Sequence, residues 1–356
     1  NVDGIVSITH GTGCGINSKG LGWELLQATI AGYSRHPNFG GLIVIGLGCE
    51  VNQVSGMAQS MDWASSDTFK MMTIQEVGGT RKTIQEGVEM IKQMLPILNK
   101  NKREKCPASE LILGLECGGS DAYSGMTANP ALGAAVDLLV KNGGTGTLAE
   151  TPEIFGAEHL LTRRAVNEEV GQKIVNFIKW WQEDYLIKFE ENKEQLHQDP
   201  SPGNKAGGLT TILEKSLGAV AKGGTTNLVD VYQFAENIKA KGFTFMNTPG
   251  YDVTSVTGLI AGGANMICFT TGRGSVFGCK PTPSIKLATN DDLYNRMTED
   301  MDINCGKILL GESTIDEMGE EIFQLILDIA SGKQSKSEIN GLGDLEFVPW
   351  QMGAIT

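Results

Sequence analysis

No apolar run approaches the roughly 18 residues that a membrane helix needs, so no membrane partner is expected. Positive charge is also short: 29 Lys and Arg stand against 42 Asp and Glu, a net −13. That excludes a general nucleic-acid surface, which requires a basic footprint. It is compatible with a cytoplasmic enzyme, in which an anionic substrate would need a local cationic pocket. No pair of cysteines has CxxC spacing, so no zinc-ribbon motif is present. Internal repeats and low-complexity stretches are absent. The chain starts Asn1-Val2-Asp3-Gly4, with neither an initiator Met nor a signal peptide. This reads as a fragment whose preceding domain is missing.

What is there is glycine and alternation. The 46 glycines among 356 residues are scattered without a period, which favours many tight strand-to-helix turns. Strands are predicted at residues 4–9, 42–47, 111–115, 146–150, 244–247, 266–270 and 284–288. Helices are predicted at 21–34, 82–98, 131–141, 162–192, 229–241, 253–261 and 315–329. The expected fold is α/β: mostly parallel sheets with helices on both faces, in two α/β lobes. The polar breaker at 199–204 places the boundary, giving 1–200 as a lobe with metal-site strand ends and 201–356 as a second lobe.

Chemistry concentrates where strands end, because ligands of open parallel sheets bind beyond the carboxyl ends. Thr9-His10-Gly11-Thr12-Gly13-Cys14 offers an imidazole and a thiol, and Gly46-Leu47-Gly48-Cys49 offers another thiol. Gly114-Leu115-Glu116-Cys117-Gly118-Gly119-Ser120-Asp121 adds a third thiol, a hydroxyl and a carboxylate. Each segment taken singly also suits an ordinary turn with a packed Cys. Together, His10, Cys14, Cys49 and Cys117 form a candidate ligand set of borderline-to-soft character. Cys268-Phe269-Thr270-Thr271-Gly272-Arg273-Gly274-Ser275 looks like an anion pocket, with the Arg273 fork beside glycine N–H groups. The alternative is a surface Arg in a turn. Glu150, Glu153, Glu158 and His159, with Arg163 and Arg164, suit either proton transfer or helix caps. Lys205 lies in a turn and is either solvated or in reach of a substrate carboxylate. Asp252 is read as an N-cap, and His36 and His197 as surface residues. Seven cysteines, an odd number, suit reduced thiols.

These segments, with Ser124-Gly125, Thr127-Ala128-Asn129-Pro130, Glu150-Thr151-Pro152-Glu153, Pro202-Gly203-Asn204-Lys205 and Thr248-Pro249-Gly250, resemble the altronate and galactarate dehydratases. The likeness covers nearly the whole chain. The sulfolactate sulfo-lyase large subunit is a related member. The resemblance implies loss of water from a sugar acid, altronate first and galactarate next, to a 2-keto-3-deoxy acid. It implies iron(II), mononuclear or within an iron–sulfur cluster, and a small N-terminal domain or subunit that this chain lacks. On that reading His10 or His159 is the base and Asp121 an acid. Ser120, Lys205, Thr271, Arg273 and Ser275 bind substrate. Sulfolactate cleavage, and a non-catalytic sugar-acid-binding core awaiting its N-terminal partner, are the alternatives. A homo-oligomer is a further expectation for its assembly.

Overall fold

The structure, a computed structural model, describes residues 1–61, 63–185 and 200–352. Its strands are β1 (Leu42–Gly46), β2 (Phe69–Thr73), β3 (Ile112–Cys117), β4 (Thr145–Leu148), β5 (Leu228–Tyr232), β6 (Gly242–Met246), β7 (Met266–Thr271), β8 (Ser284–Ala288) and β9 (Ile303–Asn304). β1 and β2 pair in a sheet of their own. The others form one seven-stranded sheet in the order β5-β6-β4-β3-β7-β8-β9, every pairing parallel. This is the expected α/β architecture of parallel sheets and covering helices. The large sheet takes strands from both sides of residue 200.

Both faces of that sheet are covered, which is why β6, β7 and β8 are buried along their whole length. Gly114 of β3 faces Leu259 of the helix Asp252–Ala261, and Gly146 of β4 faces Val136 of the helix Ala128–Lys141. Gly146 is in register with Leu113, the neighbour of Gly114. Successive side chains alternate faces, so the two helices lie on opposite sides. The outer layers pack closely through glycine. A Cβ on Gly319, in the helix Ile315–Ala330, would lie 2.5 Å from Ala134 Cβ. One on Gly32, in the helix Leu21–Ser34, would lie 2.1 Å from the Ala261 carbonyl oxygen. Leu113, Leu115, Phe243, Phe245, Ile267 and Phe269 are fully buried between these layers.

Strand order fixes where a ligand can sit. From β3 the chain builds β4, β5 and β6 on one side, then crosses back to place β7 on the other. The point where the order reverses is the β3–β7 boundary, and in open parallel sheets ligands bind beyond the carboxyl ends near such a point.

Three predicted elements differ. Residues 4–9 form no strand; β1 finds its partner in β2 instead. Residues 229–241, expected as a helix, begin with β5 and continue as turn and irregular chain. The β-branched Leu-Val-Asp-Val-Tyr run pairs with β6, and Ala235 takes a positive φ of 61° that no helix continues through. The long helix expected at 162–192 is broken. Asn167 caps a new helix, Glu168–Lys179, by accepting from Val170 N at 2.9 Å, and a π turn, Trp180–Tyr185, follows. The remainder of that stretch, and His197, lie outside the described residues. His36 is buried rather than on the surface, its Nε2 lying 3.0 Å from the Ala264 carbonyl oxygen.

Candidate active site

The four central strands β6, β4, β3 and β7 deliver their carboxyl ends side by side. β3 ends in Glu116-Cys117, both buried. Glu150 follows β4, and Glu153 lies on the short 3-10 turn after it. Lys215 and Lys222 come from the helix Ile212–Ala221 and the residue beyond it. Asp252 is the first residue of the helix Asp252–Ala261.

Cys117 Sγ lies 3.4 Å from Glu150 Oε2 and 3.2 Å from Glu153 Oε2. Lys222 Nζ is 3.4 Å from Glu150 Oε2, both side chains 1% exposed. Lys215 Nζ donates to Glu153 Oε1. Glu116 Oε2 and Glu150 Oε1 are buried and, among the described residues, face no N–H or hydroxyl donor. Two such carboxyls in contact resolve this by sharing a proton. Burial, with the charge of Glu150, raises Glu116 well above the usual carboxylate range. Burial opposes ionisation of Glu150 too, but the Glu116 hydrogen bond and the Lys222 and Lys215 charges win, holding it below its ordinary value. Burial and the Glu150 charge push Glu153 up. Burial, with the charges of Glu150 and Glu153, pushes Asp252 up to about 7. Burial and the same two charges raise the Cys117 thiol, which stays protonated. Both lysines, despite burial, are held charged by the acids around them.

The cluster therefore has depth. Glu116, Cys117, Glu150 and Lys222 are fully enclosed. Glu153 and Lys215 sit at its edge, 12% and 16% exposed. Two glycines join this edge to the anion turn. A Cβ on Gly118 would lie 2.1 Å from Asp252 Oδ2, and one on Gly119 would lie 3.0 Å from Arg273 Cβ. Gly272 N and Arg273 N both donate to the Gly119 carbonyl, at 3.0 and 2.8 Å, locking the turns after β3 and β7 together. Gly119 has a φ of 60°, so glycine is required there for conformation as well as room.

The sequence-predicted residues divide into groups. Arg273 is exposed beside the glycine pair. Thr271 is buried and accepts from Gly274 N at 3.0 Å, shaping the turn rather than facing outward. Ser275 accepts from Phe277 N at 3.0 Å. Ser120 is buried beside Asp121. Asp121 accepts from Ser124 Oγ at 2.8 Å, Thr289 Oγ1 at 2.9 Å and Asn290 Nδ2 at 2.9 Å. With both oxygens engaged by neutral donors, it ties the loop after β3 to the loop after β8. Lys205 is exposed on the short helix Pro202–Ala206, whose following Gly207 carbonyl accepts from Ala122 N at 3.0 Å. His159 is exposed on the four-residue helix His159–Thr162.

The four expected metal ligands are not gathered into one cluster. Cys14 and Cys49 are exposed, with sulfurs 4.0 Å apart, and His10 is exposed beside Thr12, 3.1 Å from its hydroxyl. Cys117 keeps the company of Glu150 and Glu153, and these three are the only such group within 4.8 Å among the described residues. β1, which leads to Cys49, belongs to the small sheet, and no strand precedes His10, so a shared strand rim does not form. Glu116, Lys215 and Lys222 were missed, and Asp252 was taken for a cap. Tyr251 occupies that cap position without a side-chain bond. Only Glu116 carried a signal, a lone charge in an otherwise apolar strand. A surface cavity of about 400 Å³ lined by Thr162, Asn167, Glu168 and Gln172 includes none of these groups.

Sequence comparison decides the relationship. The family model described as D-galactarate/altronate dehydratase, C-terminal, matches residues 108–355. A second, the D-galactarate dehydratase/altronate hydrolase second domain, matches residues 1–99. The chain belongs to the galactarate/altronate dehydratase family. It is 42% identical to galactarate dehydratase (L-threo-forming) of Escherichia coli, over 86% of this chain and 59% of that protein. It is 38% identical to altronate dehydratase of Bacillus subtilis, over 96% of this chain and 67% of that protein. It is also 31% identical to (2R)-sulfolactate sulfo-lyase subunit beta of Chromohalobacter salexigens, over 98% of this chain and 87% of that subunit. The chain thus spans about three-fifths to two-thirds of the length of these two dehydratases. Among the described residues, no helix is long and apolar enough to cross a membrane.

Proposed function

We propose that the chain is the catalytic core of a hydro-lyase that removes water from a sugar acid, altronate first and galactarate next, giving a 2-keto-3-deoxy acid. The observation that carries this is the acid–lysine–thiol cluster beyond the carboxyl ends of β3, β4 and β6, joined through Gly118 and Gly119 to Arg273 after β7. Loss of water needs a base for the α-proton, a charge partner for the enediolate and an acid for the departing β-hydroxyl. Arg273, with the neighbouring turn, takes the substrate carboxylate. Glu153, raised by burial and lying at the edge, takes the proton. Lys215 stabilises the charge that develops. Asp252, pushed up to about 7, supplies a proton to the hydroxyl. Behind them, Lys222 and the Glu116–Glu150 pair fix the field. Environments that drive neighbouring titratable groups apart are how one site runs acid and base chemistry together.

Iron(II) belongs to this reading, and Cys14 and Cys49 fit it best. Two thiolates on one tetrahedral ion at about 2.3 Å lie about 3.8 Å apart, and these sulfurs are 4.0 Å apart. His10 is four residues from Cys14 in the chain, but its ring does not lie within 4.8 Å of both sulfurs. The Cys117 set fits a cation less well, because Lys215 and Lys222 already occupy its carboxylates. Bound iron would act as a Lewis acid on a substrate oxygen. Iron and labile-sulfide analysis of anaerobically purified protein separates a mononuclear ion from a cluster. The greater length of the dehydratases, and the subunit name of the sulfo-lyase, support a functional unit with a further domain or small subunit. Seven free thiols suit the reducing cytoplasm. An anaerobic panel of altronate, galactarate and sulfolactate, read out by 2-keto acid and sulfite, tests the assignment. Sulfite release without any 2-keto-3-deoxy acid would overturn it.

A further inference from the structure

Glu150 is held in an unusual shape. Its backbone is left-handed, φ 66° and ψ 67°, a region that non-glycine residues rarely adopt. Such strain persists only where the surroundings impose it, and it gathers at functional sites. We propose that Asn247 and Thr248, which follow β6, are positioning residues that clamp Glu150 in this conformation and thereby aim its carboxylate at Cys117 and Lys222.

The clamp grips the chain on both sides of Glu150. Glu150 N donates to Thr248 Oγ1 at 2.8 Å, and Thr151 N donates to the Thr248 carbonyl at 3.0 Å. The Thr248 hydroxyl is itself oriented by Ser255 Oγ, 2.8 Å away. Thr151 Oγ1 donates to Asn247 Oδ1 at 2.7 Å. Asn247 is fixed in turn, accepting from Trp181 Nε1 at 2.8 Å and donating from Nδ2 to Gln233 Oε1 at 2.8 Å. Thr151, Asn247, Thr248 and Ser255 are fully buried. Buried donors and acceptors that are all satisfied have little freedom to rearrange. The amide of Glu150 therefore points at Thr248, beyond β6, and its carboxylate reaches Cys117 and Lys222. With a negative φ the same side chain would leave from a different direction, and the Lys222 contact could not be kept.

The inference rests on Glu150 belonging to the reacting site, and the test separates the two. In the natural full-length protein, Thr248→Val removes the hydroxyl at constant volume and Thr248→Ser keeps it. A shift of about 1 Å passed to the reacting groups from a residue behind them costs up to about 100-fold in rate, so Thr248→Val should lower kcat by roughly 10–100-fold with KM nearly unchanged. Thr248→Ser should stay near wild type, and a crystal structure of Thr248→Val should show residue 150 at negative φ. Ser255→Ala, a milder change behind the same hydroxyl, should give a smaller fall in kcat and serves if Thr248→Val does not fold. Wild-type kcat in Thr248→Val or, where that variant fails to fold, in Ser255→Ala overturns the clamp, as does a left-handed residue 150 in the Thr248→Val structure. Wild-type kcat in Glu150→Gln would instead refute the role of Glu150 in the reaction, and the backbone of Thr248→Val would still decide the clamp.

Discussion

Replacing Lys222 by Met removes one ammonium group from a place water does not reach. Lys222 and Glu150 are each 1% exposed and 3.4 Å apart. The methionine fills most of the lysine stem's volume, so the change is mainly one of charge. Breaking a buried pair from one side costs about 3–5 kcal/mol, because the remaining charge is uncompensated. For a chain of this size, with an unfolding entropy of about 2.1 cal/mol/K per residue, that is a fall of roughly 4–7 °C in Tm. The sign of the pH dependence follows from Glu150. In the parent its folded value lies below the ordinary one, so its contribution is present above about pH 4.5 and fades as acid is added. Without Lys222 burial dominates, the folded value rises, and Glu150 destabilises increasingly as pH climbs. The gap between parent and variant should be widest near pH 7 and narrow toward pH 4. Urea denaturation across that range measures it, and Lys222→Met/Glu150→Gln should recover much of the loss. A penalty that is absent, or the same at every pH, would refute the claim that the Lys222 charge helps to hold Glu150 ionised.

Three further outcomes follow from the edge of the cluster. Turnover should decline about tenfold per pH unit above about 7 as Asp252 loses its proton; Asp252→Asn should be slower by about 100-fold or more and lose that alkaline limb. Gly118→Ala would set a methyl 2.1 Å from Asp252 Oδ2 and 2.6 Å from Phe269 Cζ. Steady-state assay should show at least a tenfold loss of kcat from the displaced acid, with overpacking costing about 1–3 kcal/mol in denaturation. Arg273→Lys keeps the charge but loses the planar fork, so KM should rise roughly 10–100-fold with kcat less affected.

Much of the fold was legible because the hydrophobic pattern was strong. The helix Leu21–Ser34 and the strand β8 were predicted to the residue, and β7 to within one residue at its end. Local pattern failed at 229–241, where Glu, Asn and Lys spaced like a helix concealed a short edge strand. It failed again at 4–9, where β-branched residues have no strand beside them. The site was legible only in its turns. Gly118, Gly119 and Arg273 announced themselves, since a glycine pair and a fork are needed wherever backbone must approach an anion. Lys215 and Lys222 did not, because a lysine on a helix or just past its end looks solvated until tertiary structure turns it inward. Asp252 was hidden by its place at a helix start, where an acid is ordinary. The three thiols were grouped on the premise of one continuous strand rim, and the separate β1–β2 sheet removes that premise.

The most direct trial of the account is anaerobic turnover of altronate and galactarate, with iron(II) supplied, by the parent protein and by Glu153→Gln. We expect the parent to form a 2-keto-3-deoxy acid and the variant to lose at least about 100-fold in kcat, since Gln cannot accept the α-proton. A parent that dehydrates neither acid, or a variant that matches it, would contradict the account.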